Sequence, residues 1–275
     1  MNKSFRILAT PYQIWLMLLV FVPLLAMIII SFTNLTSEVP LNEVSFTLAN
    51  FLILGETSTL VAFKNSLVYA SLSTIICFVL GYFIAYKIKT SRFNNKFIVL
   101  TIVILPMWSN LILRAEALMN VMSENNIIKS LIGFSILGNT AGTGFAVLFG
   151  LVFTYMPFMI LPIYTTLEKI DPALEEAALD LGLTPFKKFW KVVSPLSFRG
   201  VVSGSIMVFL PTLAGFAIPK IISRGQIIFI GNIIDTKFMY TSYDQGALLA
   251  VLILVFILGS ILLLTRFDKE GETLL

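Results

Sequence analysis

The sequence predicts an all-α integral membrane protein with six transmembrane helices, and three observations carry that prediction. Of its 275 residues, 57% are hydrophobic and only 12% are charged, about half the charged fraction of a soluble domain. Six apolar stretches reach the ~20 residues that a helix needs to cross a bilayer. Backbone polar groups cannot go unpaired in lipid, so runs this long are helical, and the alternating ~10-residue strands of a membrane barrel do not occur.

The first span lies near residues 12–32. Lys3 and Arg6 precede it as in a signal sequence. The run is longer than the ~7–15 residues of a signal-peptide core and no small-x-small pattern closes it, so it reads as uncleaved. The second span, near 66–86, holds the lone cysteine, Cys77. One cysteine cannot form an internal disulfide, and without histidine a Cys/His zinc site is excluded. Cys77 reads as a small packed hydrophobe. The third span, near 97–115, contains Pro106 and ends among Asn110, Arg114 and Glu116. The fourth (144–164) carries Pro157 and Pro162, the fifth (198–220) carries Pro211 and Pro219, and the sixth covers 246–265. These prolines read either as static kinks or as hinges. The connections leave no room for a soluble domain, so 1–275 reads as a single transmembrane domain. No G-x-x-x-x-G-K-[ST] phosphate loop is present, and nothing repeats internally.

Basic residues set the expected orientation. Of the 19 Lys and Arg, an inward N-terminus leaves only Lys64, Arg114, Lys129, Lys220, Arg224 and Lys237 outside. Arg92, Lys187, Lys188, Lys191, Arg266, Lys269 and the rest fall inside, so both termini and the segment 165–196 are expected to be cytoplasmic. The net charge of +4 is thus a topology signal between apolar runs, not a nucleic-acid-binding face.

The charged segment 165–196 reads as two short helices. Asp171 suits an N-cap and Pro172 the first helical position. Glu175 and Glu176 lie near the positive end of the helix dipole. Gly182 supplies a left-handed residue to end the helix. Thr184 and Pro185 then restart the pattern, and Pro195 is expected to stop it. Leu174, Ala178 and Leu181 share an apolar face. A thin acidic helix of this kind suits a groove in a partner protein better than a membrane surface.

Glu176-Ala177-Ala178, Gly182 and Pro195 resemble the EAA loop of bacterial ABC-importer permeases. The motif closes on Val192-Val193-Ser194-Pro195, where the family usually has Ile-x-Leu-Pro. Pro106-Met107-Trp108-Ser109-Asn110 with Leu113-Arg114 is similar to a segment of spermidine/putrescine permeases. So is Ile230-Gly231-Asn232-Ile233-Ile234, followed by Phe238 and Gly246-Ala247. With Pro211 and Pro219, the resemblance to the spermidine/putrescine (PotB-type) permease family covers roughly residues 60–260. It implies a type I ABC importer permease (MetI-like) fold in the bacterial inner, or plasma, membrane. It also implies a transport role, with polyamines translocated into the cell and the loop 165–196 as coupling helix. The implied partners are a homologous second permease, two ATP-binding subunits, an extracytoplasmic polyamine-binding protein and membrane lipid. ATP and magnesium would sit on the partner ATPase, with no cofactor or metal on this chain. The resemblance assigns ATPase coupling to Glu175, Glu176, Ala177, Ala178, Asp180, Gly182 and Pro195.

A polyamine needs carboxylates for its ammonium groups and aromatic faces for its stem. Candidates along its path are Trp108, Asn110, Arg114, Glu116, Tyr155, Asp235 and Asp244, with Tyr240 and Tyr243 nearby. Aromatic residues at span ends also serve as interface anchors, and loop acids are often merely solvated. Arg114 and Glu116, two apart on a helix, do not face each other. The alternative cargo is iron or an inorganic anion, the latter favouring basic residues on the path. An intramembrane enzyme is disfavoured: there is no histidine and the one cysteine has an apolar context.

Overall fold

The structure, a computed structural model, describes residues 3–91, 95–124, 127–132 and 137–265. Arg92, Arg266 and Lys269, used above for orientation, lie outside the described residues. The described chain is helical apart from turns and one isolated bridge between Thr33 and Phe46. Four stretches are long and apolar enough to cross a membrane unaided: Thr10–Ser31 of α1 (Lys3–Ser31), α2 (Thr57–Thr90), α6 (Gly144–Glu168) and Tyr243–Leu263 of α13 (Tyr243–Thr265). They match the first, second, fourth and sixth expected spans.

The other two expected spans are not single straight helices. Near 97–115, α3 (Lys96–Ile104) runs into a tight turn, Leu105–Trp108, and α4 (Leu111–Met122) leaves at 96°. Pro106 sits in that turn, where its missing N–H is no loss. Ser109 is extended, and Asn110 caps the new helix by accepting from the N–H groups of Ile112 and Leu113. The short α5 (Ile127–Ile132) follows. Near 198–220, α10 (Phe198–Ala214) ends where Gly215 turns extended, and α11 (Ala217–Ile222) starts afresh. Pro211 lies inside α10 without ending it. Residues 185–196 meet α10 at 62°, and the total reaches six spans only if each bent pair counts as one.

The core is the bundle of α2, α6 and α10. The buried face of α2 is built from small residues, including Ala62, Ser66, Ala70, Ser73, Cys77, Gly81 and Ala85. Small residues let helix backbones approach in lipid, where apolar side chains gain nothing by leaving the acyl chains. Cys77 is buried there, its thiol 3.7 Å from the Val152 carbonyl of α6. By contrast α1 packs mainly on α13 and leaves Trp15, Leu19 and Phe21 exposed. Exposed apolar surface of that extent fits lipid or a neighbouring subunit.

Candidate functional site

Two short helices follow α6. In α7 (Pro172–Asp180), the Asp171 carboxylate accepts from the Ala173 N–H at 2.9 Å, and Pro172 takes the first helical position. The helix closes on Gly182 at φ +79°. The Gly182 N–H donates to the Leu179 carbonyl at 2.9 Å and the Leu183 N–H to the Ala178 carbonyl at 3.1 Å. That pair of bonds is the Schellman ending, which needs a left-handed residue at this point. Thr184 then caps α8 (Pro185–Lys188): its carbonyl accepts from the Lys188 N–H at 2.8 Å.

Pro195 does not stop this second helix. The chain passes through a π turn, Phe189–Val193, into α9 (Ser194–Leu196) with Pro195 inside, and bends only at Ser197. A proline ring clashes with the carbonyl four residues back. The widened turn just before Pro195 is where the helical ladder changes register.

The expected coupling residues divide between two faces. Glu176, Ala177, Asp180, Gly182 and Pro195 are exposed, whereas Ala178 is buried. Leu181 is 85% exposed and Phe186 73%, joined by Leu174, Leu179 and Trp190. This surface is apolar and charged with both signs, acidic on α7 and basic at the exposed Lys187 and Lys191. Glu175 points the other way. One carboxylate oxygen pairs with Lys89 of α2 and the other with Lys188 of α8, the latter at 2.8 Å. Burial works to raise the Glu175 carboxyl, but the hydrogen bonds and charges of Lys188 and Lys89 outweigh it, leaving the group below the usual carboxylate range. Lys89 and Lys188 had no assigned role in the sequence beyond orientation.

At the bend between α3 and α4, Arg114 is a brace. Its guanidinium donates to the Pro106 carbonyl, to the Ser109 carbonyl at 3.0 Å and to the Ser109 hydroxyl at 3.1 Å. Trp108 is 88% exposed at the same bend, and Glu116 is exposed on α4. Tyr155 is buried on α6 and lines a cavity of ≈ 280 Å³ with Leu111, Pro211, Gly215 and Phe216. Asp235, on α12 (Ile230–Met239), pairs with Lys220 of α11 at 2.8 Å. Asp244 is buried at the start of α13 and accepts from the Gln245 N–H at 2.7 Å. Tyr240 is exposed. The cavity therefore unites Tyr155 with the start of α4, while Asp235 and Asp244 have partners of their own. Among the described residues, no cluster of three or more His, Cys, Asp or Glu could hold a metal ion.

Gly231 and Asn232 anchor the start of α12. The Asn232 amide donates to the Phe216 carbonyl at 2.8 Å, and its oxygen accepts from the Phe229 N–H at 2.9 Å. A Cβ on Gly231 would lie 2.5 Å from the Ala214 carbonyl oxygen. The pair holds α12 against the break after α10.

The brace at Arg114 is testable. Arg114→Met is expected to destabilise the bend by roughly 1.5–3 kcal/mol, the worth of hydrogen bonds from a charged donor. A lower melting temperature in detergent would register it. Arg114→Lys should recover only part, since an ammonium lacks the planar fork.

No family model matches the sequence. Curated relatives do. The chain is 30% identical to the spermidine/putrescine transport system permease protein PotB of Haemophilus influenzae, with 98% of each chain covered. It is 29% identical to PotB of Escherichia coli K12, covering 93% of this chain and 98% of that one. A chain of a bacterial ABC transporter involved in the import of the acidic polysaccharide alginate superposes with a TM-score of 0.77, at 16% identity, over 98% of this chain and 96% of its own. A chain of a bacterial alginate ABC transporter in complex with an alginate pentasaccharide-bound periplasmic protein gives a TM-score of 0.77 at 15% identity, over 97% of this chain and 94% of its own.

Proposed function

The chain belongs to the spermidine/putrescine family of ABC-importer permeases, and on that premise we propose that it moves polyamines across the bacterial cell membrane at the expense of ATP hydrolysed by a separate subunit. The observation that carries this reading is the relationship to polyamine permeases over nearly the whole of both chains. The exposed face of α7 and α8 adds support, because an apolar-rich surface ringed by charges beside a helical bundle calls for a protein partner. In this reading Glu176, Ala177, Asp180, Gly182 and the apolar residues around them dock on the ATPase, which holds ATP and magnesium.

The assembly contains a second, homologous permease, two ATPase subunits and an extracytoplasmic binding protein. The distribution of Lys and Arg supports placing α7, α8 and both termini on the cytoplasmic side. In this reading the chain is a transport subunit and hydrolysis takes place on the ATPase. It turns hydrolysis into alternating access, with the bend at Ser109 as a point of movement. The Tyr155 cavity offers an aromatic wall for a methylene chain, and exposed Glu116 offers a carboxylate for an ammonium group.

Uptake of radiolabelled spermidine and putrescine in cells deleted for the chain, with and without its return, tests the reading. Restored, ATP-dependent uptake is the expected result. Unchanged uptake of both polyamines, with the ATPase still co-purifying, would reject the cargo and redirect the search to iron or anions.

A further inference from the structure

Tyr82, Tyr86 and Lys89 stand at i, i+4 and i+7 on α2, hence on one face of that helix. Each grips a successive piece of the segment from α7 to α10. Lys89 and Lys188 share the two oxygens of Glu175, which ties α7 to α2 and α8 at once. Tyr86 and Tyr82 hold the Phe189 ring edge-to-face, with centroids 5.1 and 5.5 Å away. The Tyr82 hydroxyl lies 2.6 Å from the buried Ser197 hydroxyl, at the bend into α10. The Ser197 hydroxyl in turn donates to the Val193 carbonyl at 2.8 Å. On its other flank α7 borders a cleft of ≈ 750 Å³, shared with the end of α6 and the start of α10. α7, the π turn and Ser197 are therefore all tied to one face of α2.

We propose that the Tyr82–Tyr86–Lys89 face of α2 is the linkage that carries the movement of α7 and α8 into the spans, with Glu175, Lys89 and Tyr82 as positioning residues that keep α2 and α10 moving as one body. This rests on the reading of α7 and α8 as the ATPase-contacting segment. Interlocked contacts of this kind shift as a unit or break, because packed interfaces do not deform continuously.

The test uses the whole importer in proteoliposomes, with its second permease, ATPase and binding protein. Spermidine uptake and phosphate release are measured in the same vesicles, after the wild-type complex has been shown to transport. Lys89→Met and Glu175→Gln are each expected to lower spermidine moved per ATP by about tenfold, within the range of coupling between linked sites. The ATPase should stay bound, and the double variant should be no worse than either single one. Tyr82→Phe removes one hydroxyl and keeps the ring, so it should assemble normally and show the same kind of loss. Unchanged yield per ATP in Tyr82→Phe and Lys89→Met, losses that multiply in the double variant, or release of the ATPase by Glu175→Gln would each overturn the linkage. Failure of the underlying reading shows separately: Leu181→Asp, on the exposed face, would then leave ATPase binding and uptake intact.

Discussion

Cells carrying Gly182→Pro are expected to take up no substrate while the chain still reaches the membrane. Gly182 sits at φ +79°, and proline is fixed near −65°. Its N–H donates to the Leu179 carbonyl, and proline has none to offer. The substitution removes the Schellman ending, and the direction in which α8 leaves α7 goes with it. The cost is about 3 kcal/mol or more, but it falls on an exposed turn outside the α2–α6–α10 core, so insertion should survive. Gly182→Ala grades the effect. Nothing lies within 4 Å of a Cβ there, so only the left-handed strain of about 1–2 kcal/mol remains. Glu176→Lys tests the same surface by charge alone: the residue is exposed, and reversal should cost uptake through the partner, not the fold. Immunoblots of membranes beside uptake assays check both. Normal uptake by Gly182→Pro and Glu176→Lys would refute the coupling role.

Much of this site was legible because its local chemistry is self-contained. A cap, a proline at the first helical position and a left-handed glycine decide two short helices without help from the rest of the chain, and Asp171, Pro172, Gly182, Thr184 and Pro185 all take those positions. Hydropathy likewise located the four unbroken helices that are long and apolar enough to cross a membrane. It could not see the breaks. Pro106 lies where a helix ends and Pro211 where one continues; the difference is made by Ser109 and Arg114 in one case and by packing against α6 in the other. Pro195 misled for the same reason, since a π turn accommodates it. The inward turn of Glu175 was beyond reach because its partner Lys89 lies 86 positions away in sequence. Two adjacent glutamates look alike on paper, yet only one faces the bundle. The spacing of Tyr82, Tyr86 and Lys89 carries no signal of its own, because a polar stripe at the end of a span is also what an interface anchor looks like.

Gly200→Ala should be more damaging than its single methyl suggests. Gly200 and Gly204 form a G-x-x-x-G spacing on α10, a pattern through which membrane helices approach closely. A Cβ on Gly200 would lie 2.6 Å from the Pro162 carbonyl oxygen and 3.0 Å from the Ile163 Cα, both backbone atoms of α6. It would also meet the Thr166 hydroxyl at 2.6 Å. Thr166 can rotate away, but a helix backbone cannot, so α6 and α10 must separate along their whole crossing. One turn further on, the same separation loosens Gly204 from Met159, whose Cα is 3.2 Å from the Cβ position. Overpacking of this kind costs about 1–3 kcal/mol, and valine should exceed alanine. Gly259→Ala on α13 is the matched control, with nothing within 4 Å of its Cβ. There the added methyl only restrains the unfolded chain and favours the helix, for a gain of roughly 0.5–1 kcal/mol. Opposite shifts in melting temperature for one and the same substitution are therefore expected. Equal shifts would mean that the α6–α10 approach is looser than its geometry requires, and that α10 is free to move without α6.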